Sequence, residues 1–122
     1  MQNINTIGFI GLGVMGEPMC QNIALKHRGK VIGFDIKKND YAKLIDSGVK
    51  IVESLDEIVS ISDLIILSLP SGKEVRDLCL GKSGLVEIIR SGQIVLDSST
   101  TPPSLSREIY RTFTKKGVLF AD

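Results

Sequence analysis

The stretch "GFIGLGVMGEPM", residues 8–19, places glycines at 8, 11, 13 and 16 between an apolar run and a segment patterned as a helix. Gly11, Gly13 and Gly16 fit the spacing G-x-G-x-x-G. In that arrangement the first glycine permits a tight turn, the second lets a pyrophosphate approach the backbone, and the third lets helix and strand pack closely. The N–H groups and positive dipole end of the following helix then face the phosphates. Taken alone the spacing is a weak signal, because glycines in a turn can serve the turn only. Its surroundings give it weight: Ile4 to Ile10 reads as a strand, Val14 to about Arg28 as a helix, and Asp35 closes a second strand 19 residues beyond Gly16. A carboxylate there can accept hydrogen bonds from the hydroxyls of an adenosine ribose. The turn Gly11, Leu12, Gly13, Val14, Met15, Gly16 and the acid Asp35 are therefore predicted to bind a dinucleotide.

Outward from the turn, strand and helix patterns alternate along the whole chain. Lys30 to Asp35 is a strand after the turn at Gly29. A helix near Asp40 to Asp46 ends at Gly48, and Val49 to Val52 forms a short strand. Ser54 and Glu57 have the spacing of a capping box, as do Ser71 and Glu74. Between them "DLIILSLP", from Asp63, is an unbroken apolar strand stopped by Pro70. The second box opens a helix to about Leu80. Gly84 to Arg90 reads as a short helix, Gln93 to Asp97 as a strand, Pro102 to Lys116 as a helix, and Val118 to Ala121 as a last strand. Thr101 before Pro102 suits an N-cap with proline in the first turn. Strands that are apolar without alternation belong in a sheet buried on both faces. The predicted fold is α/β: a Rossmann-type, doubly wound, mostly parallel six-stranded sheet with helices on both faces, spanning residues 1–122 as one domain.

Composition limits the partners. The 122 residues are 43% hydrophobic, enough for one domain with a real core. Fifteen Lys and Arg against 14 Asp and Glu leave a net charge of +1, without the basic surplus that grips nucleic acid. No apolar stretch approaches the ~18 residues of a membrane span, and the apolar run at Ile7 to Met15 lacks the preceding positive charge of a secretion signal. Cys20 and Cys79 have no ligand spacing and read as buried free thiols in a reducing, cytoplasmic setting. No metal site is expected. His27, the only histidine, falls at the end of the first helix, where an imidazolium suits the dipole.

Asp35 also bears on which dinucleotide binds. A carboxylate there gains from ribose hydroxyls and repels a 2′-phosphate, so NAD is favoured over NADP. Lys37 and Lys38 could swing toward a phosphate, but such a pair more often forms solvated surface.

The motifs also carry a family resemblance. "GFIGLGVMGEPMCQNI" resembles the N-terminal signature of the 3-hydroxyisobutyrate dehydrogenase family of β-hydroxyacid dehydrogenases, "LSLPSGKEV" its leucine-proline segment, and "DSSTTPP" its D-x-S-T-x-x-P segment. The resemblance runs over essentially the whole chain and implies that Leu69 and Pro70 line the cofactor beside the nicotinamide ribose, with Thr100 near the nicotinamide. Glu74 stands where the family often has asparagine. "DSST" departs from the G-N-S type segment of the related 6-phosphogluconate dehydrogenases, which disfavours a sugar-phosphate substrate.

No residue of the chain is a convincing catalyst. Nicotinamide chemistry on a hydroxyl needs a proton acceptor within hydrogen-bond reach, and Lys73 reads as surface. In the resembled family a D-A-P-V-S-G-G segment and a helical domain with a lysine and an asparagine supply substrate binding, catalysis and dimer contacts. Asp122 matches the first residue of that segment. The expectation is a cofactor domain, inactive alone, whose small hydroxy-acid substrate and homo-oligomeric partner act through a helical domain absent from this chain. A stand-alone dinucleotide-binding module and a binder of a different nucleotide-like ligand, such as S-adenosylmethionine, are the alternatives.

Overall fold

The structure, a computed structural model, describes residues 3–122. In chain order its elements are β1 (Thr6–Ile10), α1 (Gly16–Lys26), β2 (Lys30–Phe34), α2 (Ala42–Asp46), β3 (Lys50–Ile51), α3 (Leu55–Ile61), β4 (Leu64–Leu67), α4 (Gly72–Leu80), α5 (Leu85–Ile88), β5 (Ile94–Asp97), α6 (Pro103–Thr114) and β6 (Leu119–Ala121). The six strands form one sheet in the order β3-β2-β1-β4-β5-β6. Every pairing is parallel, so the sheet is wholly rather than mostly parallel. The order reverses direction between β1 and β4, which opens a crevice at their carboxyl ends.

Because alternate residues of a strand face opposite ways, the two sides of the sheet carry two separate cores. Ile7 and Phe9 of β1, Val31 of β2 and Ile66 of β4 pack with Cys20 of α1 and Leu44 of α2. On the other side Ile65, Leu67, Val95 and Phe120 meet α3 to α6 through Ile58, Val75, Leu85, Ile109 and Phe113. Phe113 and Phe120 meet edge to face, with ring centroids 5.8 Å apart. Gly8 belongs to this second packing: a Cβ on it would overlap Ser62 and Ile58 of the α3 segment.

The first face is incompletely covered. Ile94 and Leu96 of β5 and Leu119 and Ala121 of β6 point to the side that α1 and α2 cover, and Leu96 is 37% and Leu119 56% exposed. Both cysteines are free and buried. Burial pushes each thiol up to about 12, helped by the charge of Glu17 at Cys20 and of Asp97 at Cys79. Among the described residues no helix is long and apolar enough to cross a membrane, and no group of three His, Cys, Asp or Glu could hold a metal ion.

His27 does lie at the end of α1, as its C-cap. Its Nε2 lies 2.8 Å from the carbonyl oxygen of Asn5, which can only accept, so Nε2 carries the proton. A hydrogen bond from the ring thus ties α1 to the chain before β1, and no imidazolium is required. The start of β1 is fixed a second time from β4, where one oxygen of Asp63 accepts from the amides of Asn5 and Thr6, both at 2.9 Å.

Those two bonds, Thr6 foremost, hold the Asp63 carboxyl below its ordinary value. Its folded pKa lies below its unfolded one, so the stabilisation is present above the unfolded value, near pH 4, and is lost as pH falls through the folded value. Asp63→Asn is expected to cost about 1 kcal/mol at pH 7, after discounting for partial exposure, and less at pH 3. Urea unfolding at the two pH values checks this; equal penalties would show that the charge is not what matters.

Candidate nucleotide-binding site

The three glycines of the turn are required for different reasons. Gly11 has φ +100°, and a Cβ on it would fall on the carbonyl oxygen of Ser68, just beyond β4. A Cβ on Gly16 would fall on the carbonyl oxygen of Gly11. Both residues are glycine because backbone meets backbone there. Gly13 differs: its φ lies outside the left-handed region, and an added Cβ would meet nothing within 4 Å. The folded chain gives no reason for glycine at 13, and the space beside it is what a ligand would fill.

The helix begins two residues later than the sequence pattern predicts. Met15 takes the N-cap position of α1, and the amide of Glu17 donates to the carbonyl of Gly13 at 2.9 Å, so Val14 and Met15 form a turn. Their side chains are 91% and 74% exposed. The amides of Gly13, Val14 and Met15 have no protein acceptor among the described residues. Leu12 is turned inward and packs in the core beneath the turn.

Asp35 is already engaged with this turn. Its Oδ2 accepts from the amide of Leu12 at 2.7 Å and its Oδ1 from the amide of Lys37 at 2.9 Å. A carboxylate offers about four acceptor sites, so two bonds hold it in place while others stay available to hydroxyls. Lys38 lies 3.8 Å from Glu53, with both side chains almost fully exposed, a pairing that contributes little.

A groove of about 320 Å³ opens beside these residues, lined among others by Gly11, Phe34, Asp35, Leu55, Leu69 and Leu78. Its charged lining is Asp35, Glu74, Asp77 and Lys82. Leu55, Leu78 and Lys82 carry no motif that reveals this position; they are brought here by the packing of α3 and α4 on the sheet. A second hollow, of about 370 Å³, runs along α1 past Met19, Ile23 and His27, toward the end of the helix away from the turn.

On the β4 and β5 side, Leu69 is half-buried while Pro70 and Thr100 are exposed. Two local expectations are corrected here. Ser71 is the N-cap of α4 but caps no backbone amide; its hydroxyl donates to Glu74 Oε2 at 2.6 Å, so the box closes between side chains. Pro102, not Thr101, is the N-cap of α6, with Pro103 as its first residue. The Thr101 hydroxyl is taken by Asp97, donating to its Oδ2 at 2.6 Å. By contrast Ser54 caps α3 as predicted, accepting from the amide of Glu57 at 3.1 Å.

Residues 6–122 match the family described as the NAD-binding domain of 6-phosphogluconate dehydrogenase. The chain belongs to that family. It is 33% identical, over 122 residues, to the mitochondrial 3-hydroxyisobutyrate dehydrogenase of Mus musculus, matching all of this chain and 36% of that protein. Among solved structures, a 3-hydroxyisobutyrate dehydrogenase of Mycobacterium tuberculosis with L-serine superposes with a TM-score of 0.81 at 30% identity, over 97% of this chain and 39% of the other. An imine reductase from Myxococcus stipitatus in complex with NADP+ has a TM-score of 0.82 at 18% identity, over 95% of this chain and 40% of its own. That last likeness is one of fold. The chain spans about a third of the length of the curated relatives it matches. It is a dinucleotide-binding domain of the NAD(P) type, related to those of 3-hydroxyacid dehydrogenases.

The glycines provide a test that separates fold from binding. Gly13→Ala should unfold within about 0.5 kcal/mol of the wild type, yet bind NADH at least tenfold more weakly. Gly11→Ala and Gly16→Ala should each destabilise the fold by about 2 kcal/mol or more, through clash and strain. Chemical denaturation and calorimetric NADH titration of the three variants would show whether the division holds.

Proposed function

We propose that this chain is the cofactor domain of an oxidoreductase that transfers a hydride between a nicotinamide dinucleotide and a small 3-hydroxy acid. The observation that carries the reading is Gly13: three unpaired amides and an empty space that no part of the fold explains, beside an anchored carboxylate. The pyrophosphate would lie on the amides of Gly13, Val14 and Met15 at the positive end of α1. Asp35 would accept from the adenosine ribose hydroxyls, with Gly11, Leu12 and Gly16 shaping the turn beneath. Leu69, Pro70 and Thr100 would line the second nucleotide. When bound, the dinucleotide accepts or gives the hydride.

NAD is the cofactor we favour. The groove carries Asp35, Glu74 and Asp77 against one cation, Lys82, which opposes a further phosphate on the ribose. Lys37 makes no ion pair among the described residues, and it stands as the competing observation for NADP. The substrate class rests on the relatives named 3-hydroxyisobutyrate dehydrogenase. Substrate contacts, proton transfer and self-association belong, in this reading, to the part of the relatives' length that this chain does not span. The two buried thiols suit a reducing compartment such as the cytoplasm, although the animal relatives are named as mitochondrial.

Titration followed by the cofactor's own fluorescence is expected to give NADH a Kd at least tenfold below that of NADPH, since a charged hydrogen bond is worth ~1.5–3 kcal/mol. Equal affinities would remove Asp35 as the selector. With NAD and 3-hydroxyisobutyrate the 122-residue chain should form no NADH. Turnover would show that proton transfer has a home within it.

A further inference from the structure

Two turns border the crevice from the β4 and β5 side, Leu69–Pro70 after β4 and Ser98–Thr100 after β5. Thr100 makes no side-chain hydrogen bond among the described residues, and both it and Pro70 are exposed. Among the described residues, the side-chain bond that reaches from one turn to the other is that of Ser99: the amide of Leu69 donates to Ser99 Oγ at 2.8 Å. Ser99 is itself anchored from beneath. Its amide donates to Asp97 Oδ1 at 2.9 Å, while Asp97 Oδ2 takes the Thr101 hydroxyl at 2.6 Å. Asp97 is 2% exposed, and in such surroundings a satisfied network is rigid and the loss of one member is costly. Ser98 adds two bonds to the carbonyl of Leu67, from its amide at 2.9 Å and its hydroxyl at 2.6 Å.

We propose that Ser99 is a positioning residue that locks the two turns into one surface for the second nucleotide, with Asp97 as its anchor. The inference rests on the dinucleotide reading above. A dinucleotide crosses the sheet where the strand order reverses. With Asp35 holding the adenosine ribose at the end of β2, the other nucleotide falls over the ends of β4 and β5, against Leu69, Pro70 and Thr100. The Ser99 hydroxyl holds Leu69, the carboxylate of Asp97 holds the Ser99 amide, and Ser98 ties the β5 turn to the end of β4, so Ser99 is the link that carries this order across to Leu69.

Ser99→Ala and Ser99→Thr test this against two ligands, NADH and ADP-ribose, the second of which lacks the nicotinamide. The alanine variant should bind NADH about tenfold more weakly, the loss of one hydrogen bond's worth of order, and ADP-ribose with unchanged Kd. Ser99→Thr, which keeps the oxygen, should stay within about twofold of the wild type for both. Without ligand, hydrogen exchange at the Leu69 amide should accelerate at least tenfold in Ser99→Ala alone. Equal losses for both ligands, an unchanged NADH affinity, or unchanged exchange at Leu69 would each overturn the lock. A wild-type chain that bound neither ligand would sink the dinucleotide reading instead, and the Leu69 exchange would still decide whether Ser99 joins the turns.

Discussion

Three backbone segments meet at the switch point of this sheet with no side chain between them. The carbonyl of Ser68 lies against Gly11 and the carbonyl of Gly11 against Gly16, so β4, the turn and the start of α1 are held at main-chain distance. Much of the site follows from that closeness. It brings the open amides of residues 13 to 15 to the carboxyl end of β1, and it sets Leu69 beside Gly11 on the groove. Asp35 then secures the turn from the β2 side through Leu12. Apolar burial pairs the strands, but the glycine contacts decide where the first helix begins and what its end faces.

The groove also lies where the two cores approach each other across the sheet. Leu12 belongs to the core under α1 and α2, whereas Phe34, Leu55, Leu69 and Leu78 pack against the core under α3 to α6. A molecule lodged between Asp35 and Leu69 therefore touches the core under α3 to α6 directly, and the core under α1 and α2 only through the bond from the Leu12 amide to Asp35. Binding to the folded state alone stabilises it by RT ln(1 + [L]/Kd). The same sheet leaves Leu96 and Leu119 open on one side, far more apolar surface than a buried parallel sheet usually shows.

Much of this was legible in the sequence, and the exceptions share a cause. The alternation of six strands with helices and the position of Asp35 follow from periodicity and from the glycine turn, because both are local patterns. The glycine spacing gives the three positions different roles, the turn at Gly11, ligand approach at Gly13 and close packing at Gly16, but the carbonyls that exclude a Cβ at 11 and 16 are brought there only by the fold. Thr101 and Ser71 depart from the capping pattern for a related reason, although Ser71 does hold the N-cap position of α4. Each has the chemistry of an N-cap, but the hydroxyl of Thr101 finds the buried carboxylate of Asp97 and that of Ser71 finds Glu74, and a charged acceptor outcompetes a weak capping bond. Ser99 was invisible because its partner, Leu69, is 30 residues away. His27 was placed correctly at the helix end, and its partner was not, because Asn5 comes within reach only when α1 folds back on β1.

In a parallel sheet with helical crossovers, helices start near the carboxyl edge of the strands, so several positive helix ends compete for an anion there. Charge alone does not select α1, which carries Glu17 in its own first turn. Amide occupancy and the carboxylates held in the first turn have to be read together. At α6 the first positions are Pro102 and Pro103, which have no N–H to offer. At α3 the Ser54 hydroxyl already takes the amide of Glu57, and Asp56 and Glu57 crowd the turn with negative charge. At α4 the carboxylate of Glu74 stands in the first turn, held by Ser71, where it repels a second anion. At α1 the amides of Gly13, Val14 and Met15 have no acceptor among the described residues, and the Cβ that residue 13 lacks would meet nothing within 4 Å. What separates α1 from α4 is thus the Glu74 carboxylate held by Ser71, and what separates it from α3 and α6 is the capped amide at Glu57 and the missing N–H groups of the two prolines.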